Sequence, residues 1–519
     1  RVPGFAAISE AVYSFIARHR EFSSGFTRLM WGEDVRSPTY FAARRLFLRA
    51  LGVIYFIAFI SLWIQIDGLI GANGISPIRE FLPAAKEQLG TGAPFILPTL
   101  CWLNSSNAFL HFLCGAGAFV SVLLVAGFFP FLCLGTLFIF YLSLTIAGQT
   151  FLNFQWDILL LEAGFLAIFF APLTWRLNAK REAPLSCIGL FLLKLLLFKL
   201  MFMSGVVKLT SGDDSWWNLT ALDYHYWTQP LPTVLAWWGA QTSEWLKHFC
   251  NFGVLFVESL IPFLIWTPRR LRFLAFVLFV SLQIMIALTG NYCFFNLLTI
   301  ALCFLLLDDT QIARRPVAAL YERRNDATVT DRRYRNLAPA FVLIITLPLN
   351  AMLLISAVKP EARWPGPIVA LYSRIEPFRI ANGYGLFRVM TKERAEIVIE
   401  GSADGMDWLS YEFKWKPGEL KRAPGWIAPH QPRLDWQMWF AALGTYRQNP
   451  WFGRLVLQLL KNSPDVTGLL ERNPFPNSPP RYIRAVLYDY RFTTVEERRA
   501  TGAWWKREDR GIYLPRVSL

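Results

Sequence analysis

The segment AEIVIEGSADGMDWLSYEFKWKPGELKRAPGWIAPHQPRLDWQMWFAAL, Ala395 to Leu443, marks where this chain changes character. It mixes charge, turn residues and tryptophan, and it follows a long apolar stretch. Glu396–Glu400 and Trp408–Lys416 alternate and are rich in β-branched and aromatic residues, with the turn signal Ser402–Gly405 between them. That pattern predicts a hairpin. Leu434–Leu443 then shifts to helical spacing, and Gly453–Leu460 repeats it behind Asn449 and Pro450, a cap and first-turn pair. Arg481–Thr493 returns to strand character. The C-terminal part therefore reads as a soluble, β-rich α+β domain.

Upstream the composition is that of a membrane protein: 54% of the 519 residues are hydrophobic and only 17% charged, against roughly 25% charged in an average soluble domain. A helix needs about 17 to 25 apolar residues to cross a hydrocarbon core. Candidate runs are Phe47–Ile66, Phe109–Phe128, Phe131–Ala147, Trp156–Ala171, Ser186–Val207, Cys250–Thr267, Leu271–Thr289, Tyr292–Leu307 and Ala338–Ala357. The expected fold is thus a polytopic α-helical membrane bundle of about nine spans, of which the fourth, sixth and eighth are short or polar. Phe47–Ile66 is too long for a cleavable signal and lacks a small-residue cleavage site.

Charge orients the array. With nine alternating spans, one face gathers arginines such as Arg44, Arg45, Arg176, Arg269, Arg270, Arg272, Arg314, Arg315, Arg323 and Arg324, while the opposite loops hold only Arg79, Lys86, Lys208 and Lys247. The positive-inside rule makes the basic face cytosolic. Residues 1–46 become a cytosolic arm, 47–357 the transmembrane domain, and 358–519 an exported, lumenal or periplasmic domain. The net charge of +15 is then a topology signal and does not call for nucleic acid. Asn104 and Asn218 head sequons in exported loops. The seven cysteines all precede the C-terminal block and include no C-x-x-C pair, so neither a disulfide framework nor a thiol-exchange motif is written there.

Ionisable residues inside the runs are costly unless they pair. Asp157, Glu162, Lys194, Lys199 and Glu258 are expected to face the interior, either neutralising one another or lining a polar cavity. Lys194 and Lys199 lie about 140° apart around a helix, which predicts separate partners. No nucleophile elbow, zinc helix, Walker loop or dinucleotide fingerprint is present, and the five histidines lack metal-ligand spacing. No metal and no cofactor is expected. His430, Arg433 and Asp435 form a compact polar group, followed by Trp436, Trp439 and Phe440 on one helical face.

The blocks GYGLFRVMTKERAEIVIEGSADGMDW, PHQPRLDWQMWFAALG, NPWF, NPFP, PPRYIRAVLYDYRFT and GAWWKREDRGIYLP, with NFQWDILLLEAGFLAIFFAP in the membrane region, resemble the lipase maturation factors. The resemblance covers nearly the whole chain. It implies a multi-pass, chaperone-like maturation factor that assists folding, assembly and secretion of lipase-type clients and touches membrane lipids. Animal members sit in the endoplasmic reticulum; a bacterial member would occupy the inner membrane. Clients engage the C-terminal domain in that family, which makes His430, Arg433, Asp435, Trp436, Trp439 and Phe440 the candidate client-binding segment. A second likeness joins Phe202–Leu209, FMSGVVKL, to the vitamin K-dependent carboxylase, with Lys208 on that enzyme's base. It implies the rival reading, a membrane enzyme using Lys208 with a lipid-soluble cofactor.

Overall fold

The structure, a computed structural model, describes residues 5–32, 37–178, 184–312 and 329–519. In hydrocarbon a backbone can satisfy its polar groups only internally, so apolar runs become helices. Seven of the described helices are long and apolar enough to cross a membrane. They are α1 (Phe41–Trp63), α2 (Asn107–Ala126), α3 (Pro130–Ala147), α5 (Cys187–Leu209), α7 (Glu244–Ser259, continued by a 3-10 turn to Trp266), α8 (Arg269–Thr289) and α10 (Val329–Val358, apolar from Asn336). Between them run α4 (Gln155–Phe170), α6 (Ala221–Thr228) and α9 (Phe295–Cys303).

The expectation of nine spans is therefore corrected to seven. The fourth and eighth runs form α4, of 16 residues, and α9 with its terminal turn, Phe295–Leu306. At 1.5 Å per residue these cover about 24 and 18 Å, short of a hydrocarbon core of about 30 Å. Both are wrapped by other helices, and α4 buries eleven side chains along its length. Apolarity there records burial in protein, a signal that composition cannot separate from burial in lipid.

Both short helices nevertheless carry the chain back to the end of the bundle from which it came. Phe128, in the α2–α3 turn, bridges to Arg176 beyond α4. Asp309, just past α9, accepts hydrogen bonds from Phe41 N (3.1 Å) and Ala42 N (2.7 Å) and so caps α1. Tyr40, Arg269, Arg272 and Asp308 cluster at this same end, with Arg269 Nε 2.5 Å from the Asp308 carboxylate. Arg1, Arg36, Lys180, Arg181, Arg314, Arg315, Arg323 and Arg324 lie outside the described residues.

After α10 the chain returns as an irregular strap, residues 380–390, laid against α4 and α5. Ala381, Asn382 and Tyr384 are buried. Gly385 has φ +155°, and a Cβ there would sit 2.5 Å from Val207 Cγ2, so a side chain would clash with α5. Non-helical backbone at such depth is tolerated because protein surrounds it.

The strap leads into β1 (Arg394–Ser402). A four-stranded antiparallel sheet follows in the order β2-β1-β5-β6, with β2 Leu409–Ser410, β5 Tyr482–Phe492 and β6 Trp505–Val517. A second pair joins β3 (Glu412–Phe413) to β4 (Leu470–Arg472). The expected hairpin forms only at Glu400↔Ser410 and Gly401↔Leu409; the main partner of β1 is β5, along all nine residues. Helices α11 (Arg433–Ala442) and α12 (Pro450–Leu460) lie within a residue or three of the spacing-based reading, and shorter helices at Pro464–Thr467 and Val495–Thr501 join them.

Candidate functional site

The segment from Gly425 through α11 is anchored in the end of the bundle opposite Arg269 and Asp309. Asn291 Oδ1 accepts Ile427 N (2.8 Å) and Ala428 N (3.0 Å), and its Nδ2 donates to Gly425 O (2.9 Å). Ser61 and Gln65, in and just beyond the last turn of α1, hold the next residues: Gln431 N donates to Ser61 Oγ (2.8 Å) and Arg433 N to Gln65 Oε1 (3.0 Å). The Arg433 bond satisfies the first N–H of α11, which otherwise has no side-chain cap.

Arg433 goes deepest. Its guanidinium grips Asp157 bidentately, at 2.9 Å to Oδ2 and 2.8 Å to Oδ1, and donates to Phe151 O at 2.8 Å. Tyr141 donates to Asp157 Oδ1, the oxygen that Arg433 Nη2 also holds, at 2.5 Å. Arg433 and Asp157 are both fully buried. Burial opposes the Arg433 charge, but the Asp157 carboxylate more than offsets that, and the pKa of the guanidinium is raised.

His430, Arg433 and Asp435 do not contact one another through side chains; each takes its own partner. Ser61 Oγ lies 2.9 Å from His430 Nδ1, and burial, with the charges of Arg433 and Lys414, lowers that imidazole to about 4. Asp435 accepts Trp415 N (2.8 Å) and Lys416 N (2.9 Å), bracing the loop after β3, and burial still raises its carboxyl. The Trp436 ring packs on Trp156, 4.7 Å between centroids, and on Phe154 and Tyr292. Trp439 Nε1 donates to Thr228 O at 2.8 Å. Of the aromatic trio only Phe440 is exposed, at 43%. The candidate segment thus faces the helices, while the exposed aromatic rings nearby are Trp415, Trp426 and Phe440.

A second anchor lies at Glu162. Its Oε1 meets Lys199 Nζ at 2.5 Å, and its Oε2 accepts Asn382 N (3.0 Å), Asn382 Nδ2 (2.9 Å) and Tyr384 Oη (2.7 Å) from the strap. Lys199 also donates to Asn350 Oδ1 at 2.7 Å. Lys194 instead donates to Tyr40 Oη at 3.1 Å, so the two lysines do have different partners. A third buried cation, Arg394 of β1, pairs with Glu396 at 2.7 Å and donates to the carbonyls of Trp227, in the last turn of α6, and of Gln229 and Pro230 just beyond it.

Lys208, in the last turn of α5, points into the bundle and not into a loop. Its Nζ donates to Glu258 Oε2 (2.6 Å) and Ser204 O (3.0 Å) and stands 5.2 Å from the Trp216 ring centroid. It borders a cavity of about 320 Å³ among α5, α6, α7, α8 and α9. Among the described residues no group of three His, Cys, Asp or Glu side chains is placed to hold a metal.

Residues 42–314 match the family described as the lipase maturation factor transmembrane domain, and residues 380–515 that described as the lipase maturation factor C-terminal domain. Lipase maturation factor 2 of Gallus gallus is 38% identical, over 94% of this chain and 82% of its own length. Its Homo sapiens counterpart is 36% identical over 92% and 82%, and lipase maturation factor 1 of Bos taurus is 34% identical over 93% and 90%. The chain belongs to the lipase maturation factor family. With seven helices among the described residues long and apolar enough to cross a membrane, it is a multi-pass member. No solved structure matches it. The second family match begins at the strap, and the block GYGLFRV contains the glycine that the approach to Val207 requires. Sequence reading reached Arg433 and Asp157 separately and missed Ser61, Gln65, Tyr141, Asn291, Asn382 and Tyr384. For Ser61, Gln65, Tyr141 and Asn291 the signal was polarity at the ends and interior of apolar runs; Asn382 and Tyr384 lie outside every run.

Proposed function

We propose that this chain matures lipase-type clients without catalysing a reaction, through a C-terminal region on the exported side of the membrane. The observation that carries the reading is the docking itself. The C-terminal region is fastened through Arg433, Asn291 and Gln65 to the end of the bundle away from Arg269, Arg272 and Asp308. The positive-inside rule assigns the arginine-poor end to the exported side. Held rigidly there, the region presents the exposed rings of Trp415, Trp426 and Phe440, with Gly425, the chain neighbour of Trp426, lying against the Trp415 ring. Aromatic rings on a rigid scaffold can shield apolar client surface during folding or assembly at low entropic cost. The names of the relatives, lipase maturation factors 1 and 2, supply the client class. As with family members in animals, an endoplasmic reticulum membrane suits a eukaryotic chain and an inner membrane a bacterial one.

Lys208 serves this reading as the partner of Glu258, with its ammonium held in an ion pair. The test is lipase activity secreted by cells that depend on this chain. Replacing Trp415, Trp426 and Phe440 together with Ala should lower that activity at least several-fold while chain abundance holds. Lys208→Arg, which keeps the ion pair, should leave it within twofold. Full activity from the triple variant would remove the client surface, and collapse of activity in Lys208→Arg would move the argument to catalysis.

A further inference from the structure

The cavity beside Lys208 has a mouth on the outer surface of the bundle. Phe249 of α7 and Met285 of α8 both line it and both stay exposed, at 65% and 54%, on helices that read as membrane spans. An opening there faces hydrocarbon. α7 also turns Gly253 toward the cavity, where an added Cβ would meet no atom within 4 Å. Leucine, valine, methionine and phenylalanine supply much of the remaining wall, and Ser204, Ser281, Thr289 and Thr299 also border it. The apolar part of such a cavity favours an apolar occupant over water.

The polar end is specific. Lys208 and Glu258 neutralise each other at 2.6 Å. Asn296 and Gln283 also satisfy each other, at 3.0 Å. His225 is different. The amide of Gln229 donates to Thr289 O (3.0 Å) and Tyr226 O (3.3 Å), which fixes its Oε1 as the acceptor of the Tyr292 hydroxyl hydrogen at 2.8 Å. The Tyr292 oxygen then accepts from His225 Nε2, at 3.2 Å. With the ring hydrogen on Nε2, Nδ1 carries a lone pair, and this buried atom has no hydrogen-bond partner. Burial, with the Lys208 charge adding to it, lowers the imidazole to about 4 and keeps it neutral. A buried acceptor without a donor is uncommon and calls for a ligand or water.

We propose that this cavity binds a single-chain, uncharged amphiphile taken from the bilayer, with its head group at the polar end beside His225 and Lys208 and the chain running toward Phe249 and Met285. Single-chain follows from volume, since about 320 Å³ lies at the low end of ligand pockets, which span roughly 300 to 1,000 Å³. Uncharged follows from the ion pair, because an anionic head would have to displace Glu258 from Lys208 and leave a carboxylate buried alone.

The probe is a monoacylglycerol with a photoactivatable diazirine in its chain, presented to the purified full chain in detergent micelles. Labelling should map to α7 and α8 and be competed by unlabelled monoacylglycerol, but at least tenfold less well by the matching fatty acid at pH 8 or by a diacyl phosphatidylcholine. Gly253→Phe, which fills the cavity, should cut labelling at least tenfold. His225→Phe, which keeps a ring against Phe387 and removes the acceptor, should cut it several-fold, with both variants melting within a few degrees of the parent. Equal labelling of the parent and both variants, labels outside α7 and α8, or equal competition by the fatty acid would each overturn the proposal. If one variant does not fold, the other and the competition series still decide.

Discussion

At the scale of single residues, the pair Arg433–Asp157 ties the two halves of the chain together across 276 positions of sequence. Both side chains are fully buried, and two parallel bonds align the guanidinium with the carboxylate. Such a pair need not stabilise relative to apolar residues, yet removing one member leaves a buried charge alone, at about 3–5 kcal/mol. Asp157→Asn and Arg433→Leu should therefore each lower the thermal midpoint of the purified chain sharply. Asp157→Asn combined with Arg433→Leu should lose clearly less than the two single losses added, since neither charge remains. Simple additivity in that cycle would mean that the two groups do not act as a pair. Sequence singled out both residues, but as members of different sites. No periodicity connects a carboxylate near the start of one helix with an arginine in another region; only packing does.

At the scale of elements, the anchored segment from Gly425 to Ala442 carries a titration. His430 is held neutral, at about 4, by burial and by its cationic neighbours, against roughly 6.5 in an unfolded chain. Between those values the unfolded state binds more protons, so stability is fully present above about pH 6.5 and is lost as pH falls toward 4. The share due to His430 is on the order of 2 kcal/mol, reduced because the ring is only partly buried. The drop in thermal midpoint from pH 7 to pH 4.5 should therefore be smaller for His430→Gln than for the parent. Equal drops would sink the assignment. His225 titrates in the same direction and keeps the variant from losing the effect entirely. α11 and β5 were legible from their apolar spacing and β-branched or aromatic content, although burial there is not confined to one face: nine of the ten α11 residues are buried. β6 was not, since its residues from Lys506 to Ile512 are all exposed at the sheet edge and no face selects their pattern. α4 and α9 were legible as helices and misread as spans, for protein and lipid demand the same apolar side chains.

At the scale of the whole molecule, the boundary near residue 358 separates two compositions but not two independent structures. Asp157 and Glu162 on α4 are answered largely from beyond it, by Arg433 and by Asn382 and Tyr384. The bundle alone would keep Lys199 beside Glu162 but would leave Asp157 with only Tyr141. It would also open the groove beside α5 in which Gly385 lies against Val207. A carboxylate stranded in that interior is expensive, and an emptied groove adds exposed apolar surface. A chain ending at Lys359 should therefore melt well below the full chain in the same detergent, by about 10 °C or more on the scale of several kcal/mol. Asp157→Asn should harm the full chain yet raise the midpoint of the shortened one, because it removes the very charge that Arg433 no longer meets. That reversal of sign belongs to a bundle and a C-terminal region that fold as one unit. A shortened chain as stable as the full one, with Asp157→Asn neutral in it, would instead describe two modules that merely touch.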